Sequence, residues 1–323
     1  MRTRSVLLIS LSVLIITSIS LSMIIRPIDD LWVETPFWNG LSEVQSTIKP
    51  LRLSGLDNLQ IPPENSTILM LGPSLPYAES DINAIRSYLQ EGGRVVLSND
   101  FGTGNTLLEG LGIRARFSGE LLQDKLFNEK KLMPHILLIE NATETRGVKE
   151  LVLNYPTTLT NLKDNERLAY ASYFSEVANS AEFGPFPILA RIEVGKGTIY
   201  LISDSSIFIN SMLNLGDNKN LLKNLSKGVV AIADSYSTQS RLTTFRGSLK
   251  AAYAFLNHPE VKYSLALIII VGVFKVAWED RDEQPDEVEE TLKRHPEWSR
   301  RELEELKEAR RRAHGDKSNT GYP

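Results

Sequence analysis

The sequence predicts an α/β fold: a mostly parallel sheet with helices on both faces, flanked by two transmembrane helices and followed by a C-terminal helical tail. Three observations lead to this prediction. Short apolar runs of strand length alternate with amphipathic stretches through the middle of the chain. Two long apolar stretches, residues 5–25 and 263–278, bracket that region. Residues 279–323 are rich in both acidic and basic side chains.

Composition excludes several classes of function. The 323 residues are 42% hydrophobic and 24% charged, which is typical of a folded chain. The net charge of −4 gives no general basic surface, so nucleic acid is not expected as a partner. The absence of cysteine removes disulfides, thiolate metal sites and cysteine nucleophiles. The four histidines are scattered along the sequence, and we expect neither a metal nor a cofactor.

The first apolar stretch, residues 5–25, is uncharged and has the length needed to cross a bilayer. Arg2 and Arg4 precede it. The alternative is a cleaved signal peptide, with residues 18–20 as a weak small-x-small cleavage site. Signal-peptide cores are shorter than this stretch, so residues 1–27 are predicted to be an uncleaved transmembrane anchor.

The second apolar stretch predicts a transmembrane helix over residues 261–278. Lys275 lies near its end, where a lysine can extend to the interface, and Tyr263 and Trp278 suit the two interfacial belts. The alternative is a buried core helix or strand. The position of the stretch after the last element of the central domain favours the membrane.

Two spans place both termini on one side of the membrane. Arg2, Arg4 and the basic residues of the tail favour the cytoplasm by the positive-inside rule. The prediction is therefore a two-pass protein of the cell membrane, with the α/β domain, residues 28–260, outside the cytoplasm. Residues 279–323 would form a cytoplasmic tail.

Within the domain, apolar periodicity and turn residues predict the order of the elements. Predicted helices cover residues 40–48, 80–93, 106–113, 206–214 and 217–236. Predicted strands cover residues 49–56, 67–72, 94–99, 133–140 and 149–155, and a hairpin over 188–204 turns at Gly195–Gly197.

Polar residues follow three of the predicted strands, at residues 72–74, 99–105 and 203–206. In a parallel sheet the carboxyl ends of the strands form the usual ligand site. The same residue types are also ordinary turn and helix-cap residues, which is the alternative interpretation. The candidate ligand-binding residues are Ser74, Asn99, Asp100, Gly102, Gly104, Asp204, Ser205 and Asn210.

Residues 67–74 and 91–105 resemble the core of the class I glutamine-amidotransferase-like fold, a flavodoxin-like arrangement. In that fold the strand after the glycine pair ends in a G-x-C-x-G nucleophile elbow. Asp100 stands where the resemblance places the cysteine, which implies a non-catalytic domain. His258-Pro259-Glu260 matches the family's H-P-E motif, but without a thiol it has nothing to activate. No G-x-S-x-G elbow replaces it.

Over roughly residues 35–300 the order of elements resembles the membrane-anchored family called domain of unknown function 4350. Members of that family combine an amino-terminal span, this fold and a second span. In prokaryotes such proteins resemble those found alongside MoxR-type AAA ATPases, von Willebrand-type proteins and transglutaminase-like proteins. They are also similar to auxiliary domains of gliding-type ABC transporters. The resemblance therefore implies protein partners in a membrane complex.

The tail begins with an acidic run, residues 279–290, which we expect to be solvated and flexible. A helix is predicted at about residues 297–314, with Ser299 and Glu302 as a capping box. It is either a solvated helix, a docking helix for a cytoplasmic partner, or a contact with anionic lipid. The candidate docking residues are Trp298, Leu303, Leu306, Arg310, Arg311 and Arg312.

These observations favour a non-enzymatic binding or scaffold subunit of a membrane complex, working with a MoxR-type AAA ATPase system. The alternative is a solute-sensing accessory subunit of an ABC-type transporter. The third hypothesis is a hydrolase that uses Asp or Ser at the strand ends, around Asp100 and Asp204.

Overall fold

The structure is a computed structural model, in which the chain divides into two units, Met1–Ser248 and Leu249–Pro323. The residues that it describes are 2–57, 59–130, 132–178, 181–282 and 287–315.

The helices of the described residues are α1 (Arg2–Ile24), α2 (Ser42–Ile48), α3 (Glu79–Gln90), α4 (Gly104–Gly110), α5 (Asn218–Leu225), α6 (Arg241–Asn257), α7 (Pro259–Asp282), α8 (Glu287–Arg294) and α9 (Arg300–Gly315). The strands are β1 (Leu51–Arg52), β2 (Ser66–Leu71), β3 (Arg94–Ser98), β4 (Arg116–Phe117), β5 (Leu122–Asp124), β6 (Asn128–Lys130), β7 (Met133–Ile136), β8 (Leu138–Ile139), β9 (Leu151–Val152), β10 (Leu159–Thr160), β11 (Arg167–Tyr170), β12 (Ser175–Val177), β13 (Pro187–Val194), β14 (Gly197–Ile202) and β15 (Val229–Ile232).

The main sheet has eight strands in the order β1-β15-β2-β3-β14-β13-β11-β8. The first five strands pair in parallel, and the last three are antiparallel to their neighbours. Three small antiparallel sheets accompany it: β4 with β10, β5 with β12, and β6-β7-β9. The predicted α/β fold with a largely parallel sheet is therefore confirmed.

Two hydrophobic clusters cover the two faces of the main sheet. Side chains alternate along β2, so Ile68 belongs to one cluster and Leu69 to the other. The Ile68 cluster includes Ile85 of α3, and the Leu69 cluster includes Val44 of α2 and Leu221 of α5. Burying each such side chain contributes about 1.5–3 kcal/mol. Helices therefore lie on both faces of the sheet, as predicted, and cover the two clusters.

Helix α3 shows how local sequence sets the length of an element. At its start the Ala78 N–H donates to the Asp81 carboxylate at 2.9 Å, which satisfies a free amide of the first turn. At its end Gly92 takes a φ of +108°, and the Gly93 N–H donates to the Tyr88 carbonyl. Glycine is the residue that adopts this conformation readily, so the chain turns here into β3.

Two predicted helices are wrong. Residues 206–214 form successive turns, and residues 217–236 form α5 followed by β15. Gly228 separates the helix from the strand with a φ of +68°, where a Cβ would lie 1.6 Å from the Asn65 carbonyl oxygen. The run Val229–Ile232 then pairs in parallel between β1 and β2. Three predicted strands are shorter than expected: residues 49–56 keep only β1, residues 149–155 keep only β9, and residues 133–140 split into β7 and β8.

Both predicted spans fall on described helices. The first, within residues 1–27, corresponds to α1, and the second, residues 261–278, lies within α7. Over the described residues, no one helix combines the length and apolar character that a membrane crossing needs. The pair Arg241–Asn257 and Pro259–Gly272, bent by 76°, meets both criteria together. The two spans stay predictions.

The tail contains two helices where one was expected. The predicted helix at 297–314 is α9, with i,i+4 ion pairs such as Arg300–Glu304 at 3.1 Å. The acidic run was expected to be flexible, but residues 279–282 end α7 and residues 287–290 begin α8. Residues 283–286 and 316–323 lie outside the described residues.

A small cavity of about 410 Å³ accompanies α8 and α9. Of the predicted docking residues, Leu303, Leu306 and Arg310 line it, next to the buried Val288 of α8. Trp298 stacks on His295, with the ring centroids 4.6 Å apart. The other two candidates, Arg311 and Arg312, are exposed, and Arg312 pairs with Glu308 at 3.2 Å.

Asn218, the first residue of α5, connects this helix to β9 through its side-chain amide. Its buried amide accepts from the Val152 N–H at 3.1 Å and donates to the carbonyls of Val152 and Met212 at 2.8 and 2.9 Å. We expect Asn218→Ala to lower the free energy of unfolding by about 2–4 kcal/mol, because buried backbone groups lose their partners. Denaturant unfolding of the purified chain measures this. The matched control is Asn220→Ala, at an exposed position of the same helix, and an equal loss in both variants would contradict the prediction.

Candidate binding site at the carboxyl end of the sheet

The loops after β2, β3 and β14 meet at one end of the main sheet, here called the carboxyl end. The Gly72 N–H donates to the Ser98 carbonyl at 2.8 Å, and the Asn99 N–H donates to the Ile202 carbonyl at 3.0 Å. The parallel ladder therefore continues to the last residue of each strand and brings the three predicted loops side by side.

A cavity of about 610 Å³ opens at this end, and we call it the carboxyl-end cavity. Five of the eight predicted ligand-binding residues line it: Ser74, Asn99, Asp100, Gly102 and Ser205. The remaining lining residues include two segments that the sequence analysis did not single out, 28–31 and 237–240. The volume is within the range of small-molecule sites.

The Asn99 side chain connects two of the segments at the carboxyl-end cavity. Its amide donates to the Pro73 carbonyl at 3.1 Å and accepts from the Gly104 N–H at 3.3 Å, so it joins the β2 loop to the start of α4. Gly102 packs against the same place, and a Cβ there would lie 2.1 Å from the Pro73 carbonyl oxygen. These residues shape the cavity, while Gly104 lies behind Asn99 and outside the lining.

Asp100 and Ser205 join the β3 loop to the β14 loop. The Ser205 hydroxyl donates to the Asp100 carboxylate, and the Ser205 N–H approaches the same oxygen at 3.4 Å. The other carboxylate oxygen accepts from the Phe101 N–H. Asp100 is only partly buried and keeps a carboxylate on the cavity surface.

The segment after α1 contributes Asp29 and Asp30. The Asp29 carboxylate accepts from the Ser240 N–H and the Thr243 hydroxyl, at the start of α6. Burial raises the pKa of Asp29, but these hydrogen bonds together outweigh it and leave the pKa below its ordinary value. An ionised Asp29 thus fixes the beginning of α6 against the carboxyl end of the sheet.

The segment before α6 is held on the other side of the cavity. The Ser74 hydroxyl accepts from the Thr238 N–H at 2.9 Å and contacts the Thr238 hydroxyl at the same distance. The Ser74 N–H donates to the Tyr236 carbonyl. Ser74 therefore works partly as a structural tie between the β2 loop and the chain that leads to α6.

The lining has a clear chemical character. It contains the carboxylates of Asp29, Asp30 and Asp100 and several hydroxyl groups, and none of the described residues that form it is Lys, Arg or His. Such a surface favours a cationic or hydroxyl-rich group over an anion. Across the part of the chain that the structure describes, no group of three or more His, Cys, Asp or Glu side chains is placed to hold a metal.

Asp204 ties neighbouring segments of the domain together, and its ligand-binding role stays a prediction. The side chain is fully buried, and its oxygens accept from the N–H groups of Asn154 and Ser206, both at 2.7 Å, and from the Ser206 hydroxyl at 2.8 Å. Burial raises the pKa of Asp204 to about 7, against the opposing effect of these hydrogen bonds. The carboxylate ties the β14 loop to residue 154 and does not reach the cavity.

Asn210 is also a structural residue. Its amide accepts from the Glu43 N–H at 2.9 Å and donates to the carbonyls of Thr35 and Phe37 and to the Ser42 hydroxyl. It fastens the segment before α2 to the turns after β14. Neither its position nor its bonds bring it to the carboxyl-end cavity.

The sequence contained a weak signal for the two segments that were missed. Asp29 and Asp30 stand directly after an apolar stretch, and the polar residues 237–240 stand directly before an amphipathic one. Each pattern is typical of a helix boundary, and nothing local indicates that the two boundaries meet.

A family described as "Domain of unknown function (DUF4350)" has a model that matches residues 38–226, more than half of the 323 residues. The match includes β2, β3, β14 and their loops, and stops short of the segments at 28–31 and 237–240. A search of the curated proteins finds no match.

Several solved structures are similar in part. They include the "mmIFT52 N-terminal domain", with 15% identity, a TM-score of 0.41 and coverage of 49% of this chain and 74% of that one. A ThuA-like protein from Bacteroides uniformis ATCC 8492 has 16% identity, a TM-score of 0.31 and coverage of 50% and 67%. The exo-beta-1,4-mannosidase Op5Man5 from Opitutaceae bacterium strain TAV5 has 12% identity, a TM-score of 0.29 and coverage of 51% and 26%. The chain spans about a quarter of the length of the mannosidase.

The raised pKa of Asp204 predicts a specific pH dependence of stability. An acid whose folded-state pKa is about 7 takes up a proton on folding at any pH between about 4 and 7. The contribution of Asp204 to the free energy of unfolding therefore falls as pH rises, by up to about 1.4 kcal/mol for each pH unit, and levels off above pH 7.

Urea unfolding at a series of pH values, for the natural chain and for Asp204→Asn, measures this effect. Asparagine does not titrate, so the difference in stability between the two proteins should change steadily across that window. A difference that stays constant with pH would show that Asp204 has an ordinary pKa in the folded protein.

Proposed function

The chain belongs to the DUF4350 family, and we propose that it is a membrane-anchored, non-enzymatic binding subunit of a membrane complex. In this proposal the carboxyl-end cavity receives a cationic or hydroxyl-rich group of the partner. The tail helices, α8 and α9, provide a second contact on the cytoplasmic side.

One observation carries the proposal. The carboxyl-end cavity is lined jointly by the strand loops and by the two segments that connect the domain to the predicted spans. Ile28 lies four residues after the end of α1, a distance of at most about 14 Å along an extended chain. On the other side α6 begins directly after Ser240. A ligand in the cavity would therefore touch both connections at once.

This arrangement implies an orientation. With both connections at the carboxyl end, that end of the domain faces the membrane, and the turn at Lys196 between β13 and β14 points away from it. The partner would then be another membrane protein or a segment close to the lipid surface. A MoxR-type AAA ATPase system would act on the cytoplasmic side through the tail.

We propose that the domain is not catalytic because of the position of Asp100. In the amidotransferase-like arrangement the nucleophile follows the strand after the glycine pair, which here would be β3 after Gly92-Gly93. Asp100 stands there, and its carboxylate accepts from Ser205 and Phe101. We propose a domain that keeps the fold of an amidotransferase and uses the elbow as part of a binding surface.

The volume of the cavity supports a second candidate function. About 610 Å³ would accommodate a small solute, and the hydroxyl and carboxylate groups would suit a sugar or an amine. The protein would then be a solute-sensing accessory subunit of an ABC-type transporter. A thermal-shift screen of the purified chain with amines and sugars separates this function from partner binding, because a bound solute raises the melting temperature.

Charge reversal at Asp30 tests the proposed partner site. Asp30 is exposed on the cavity wall, and Asp30→Lys would place a cation where we propose that a cationic group binds. We expect recovery of partners in mild-detergent purification from native membranes to fall at least about tenfold, because like charges at an interface repel. Quantitative mass spectrometry of the co-purified proteins measures the recovery.

Glu64→Lys is the matched control for this experiment. Glu64 is exposed shortly before β2, at the opposite end of the sheet, and the substitution makes the same change in net charge. Retention of partners in this variant, together with their loss in Asp30→Lys, would support the proposal. Equal recovery in both variants and in the natural chain would contradict it.

A further inference from the structure

Helix α6 carries a continuous apolar stripe. Leu242, Phe245, Leu249, Tyr253 and Leu256 follow the spacing that places side chains on one face of a helix. Phe245 is 48% exposed, Tyr253 70% and Leu256 50%, so much of the stripe faces outward. Exposed apolar surface arranged in this way marks an interaction site.

The charges on α6 are all of one sign. Arg241, Arg246 and Lys250 lie beside the apolar stripe, and the seventeen residues of the helix contain no Asp or Glu. An apolar face with basic side chains at its borders is typical of helices that lie in the lipid–water interface. Anionic headgroups attract the basic side chains, while the apolar face enters the acyl boundary.

The start of α6 is fixed to the domain. Thr243 is buried, and its hydroxyl donates to Asp29 on the side of the helix away from the stripe. The Ser240 hydroxyl accepts from the Thr243 N–H at 3.3 Å and supports the first turn. These contacts hold the first turn of α6 at the carboxyl end of the sheet.

The bend of the chain after α6 is the one expected for a helix that lies along a membrane surface. The chain bends by 76° between Arg241–Asn257 and Pro259–Gly272. Pro259 occupies the first position of α7, where its missing N–H costs nothing and α6 cannot continue through it. A helix parallel to a membrane needs a turn of nearly a right angle before the chain can enter the bilayer.

We propose that α6 is an interfacial helix that lies along the lipid surface over about 26 Å and delivers the chain into the second span. The occupant of the apolar stripe is the lipid bilayer, with anionic headgroups beside the basic residues. This inference rests on the proposed membrane anchoring and adds a specific contact between α6 and lipid.

The natural chain contains no cysteine, so single-cysteine variants allow a direct test. Tyr253→Cys and Leu256→Cys place a nitroxide label on the stripe, and Ala251→Cys and Ala254→Cys place it on the opposite face of the same helix. All four positions are exposed. The labelled full chains are reconstituted in nanodiscs of phosphatidylcholine and phosphatidylglycerol, and the accessibility of each label to oxygen and to a water-soluble nickel chelate is measured by electron paramagnetic resonance.

We expect the ratio of oxygen to nickel accessibility to be several-fold higher at 253 and 256 than at 251 and 254. Equal, water-like ratios at all four positions would overturn the inference. Labels at 253 and 256 that neither reagent reaches would also overturn it, because a protein partner would then cover the stripe.

Ile269→Cys in α7 separates failure of this inference from failure of the proposed function. A lipid-exposed label at 269 with water-exposed labels at 253 and 256 would reject the interfacial helix and leave the membrane anchor in place. A water-exposed label at 269 would reject the anchor, and the interfacial helix with it.

Discussion

The parallel hydrogen bonding of β15, β2, β3 and β14 is the constraint on which the site depends. Their register pairs Ile68 with Val95, and Val96 with both Leu69 and Tyr200, so each strand places its apolar side chains against the same two helical layers. A shift of one residue would exchange the two faces of a strand. Because the register is fixed in this way, the strands end at one level, and the Asn99 amide can join the β2 loop to the start of α4.

The sequence allowed accurate prediction of the elements that are defined locally. The apolar runs of β2 and β3 and the glycine pair after α3 identify the centre of the sheet, and their polar loops identify five residues of the cavity. The errors concern features set by distant residues. The apolar run of β15 follows a short helix closely and pairs with strands more than 150 residues earlier in the sequence. Asp29 and Thr243 are 214 residues apart in the sequence, and no local pattern predicts that their side chains are in contact.

Polar residues in the loops near the carboxyl end divide into two groups by the partners of their side chains. The side chains of Asp204 and Asn210 accept hydrogen bonds from backbone N–H groups of other segments, and these bonds hold the loops in place. Asp30 and Asp100 keep carboxylate surface in the cavity. The connections to α1 and α6 lie beside this surface, so we infer that binding, membrane attachment and the interfacial helix all belong to one end of the domain.

Energy transfer to the lipid surface measures which end of the domain faces the membrane. Ser74→Cys and Lys196→Cys place a donor dye at the carboxyl end and at the opposite end of the sheet, about 20 Å apart for strands of six residues. With acceptor-labelled headgroups in reconstituted vesicles, we expect clearly stronger transfer from position 74. Equal transfer from both positions, or stronger transfer from position 196, would contradict it.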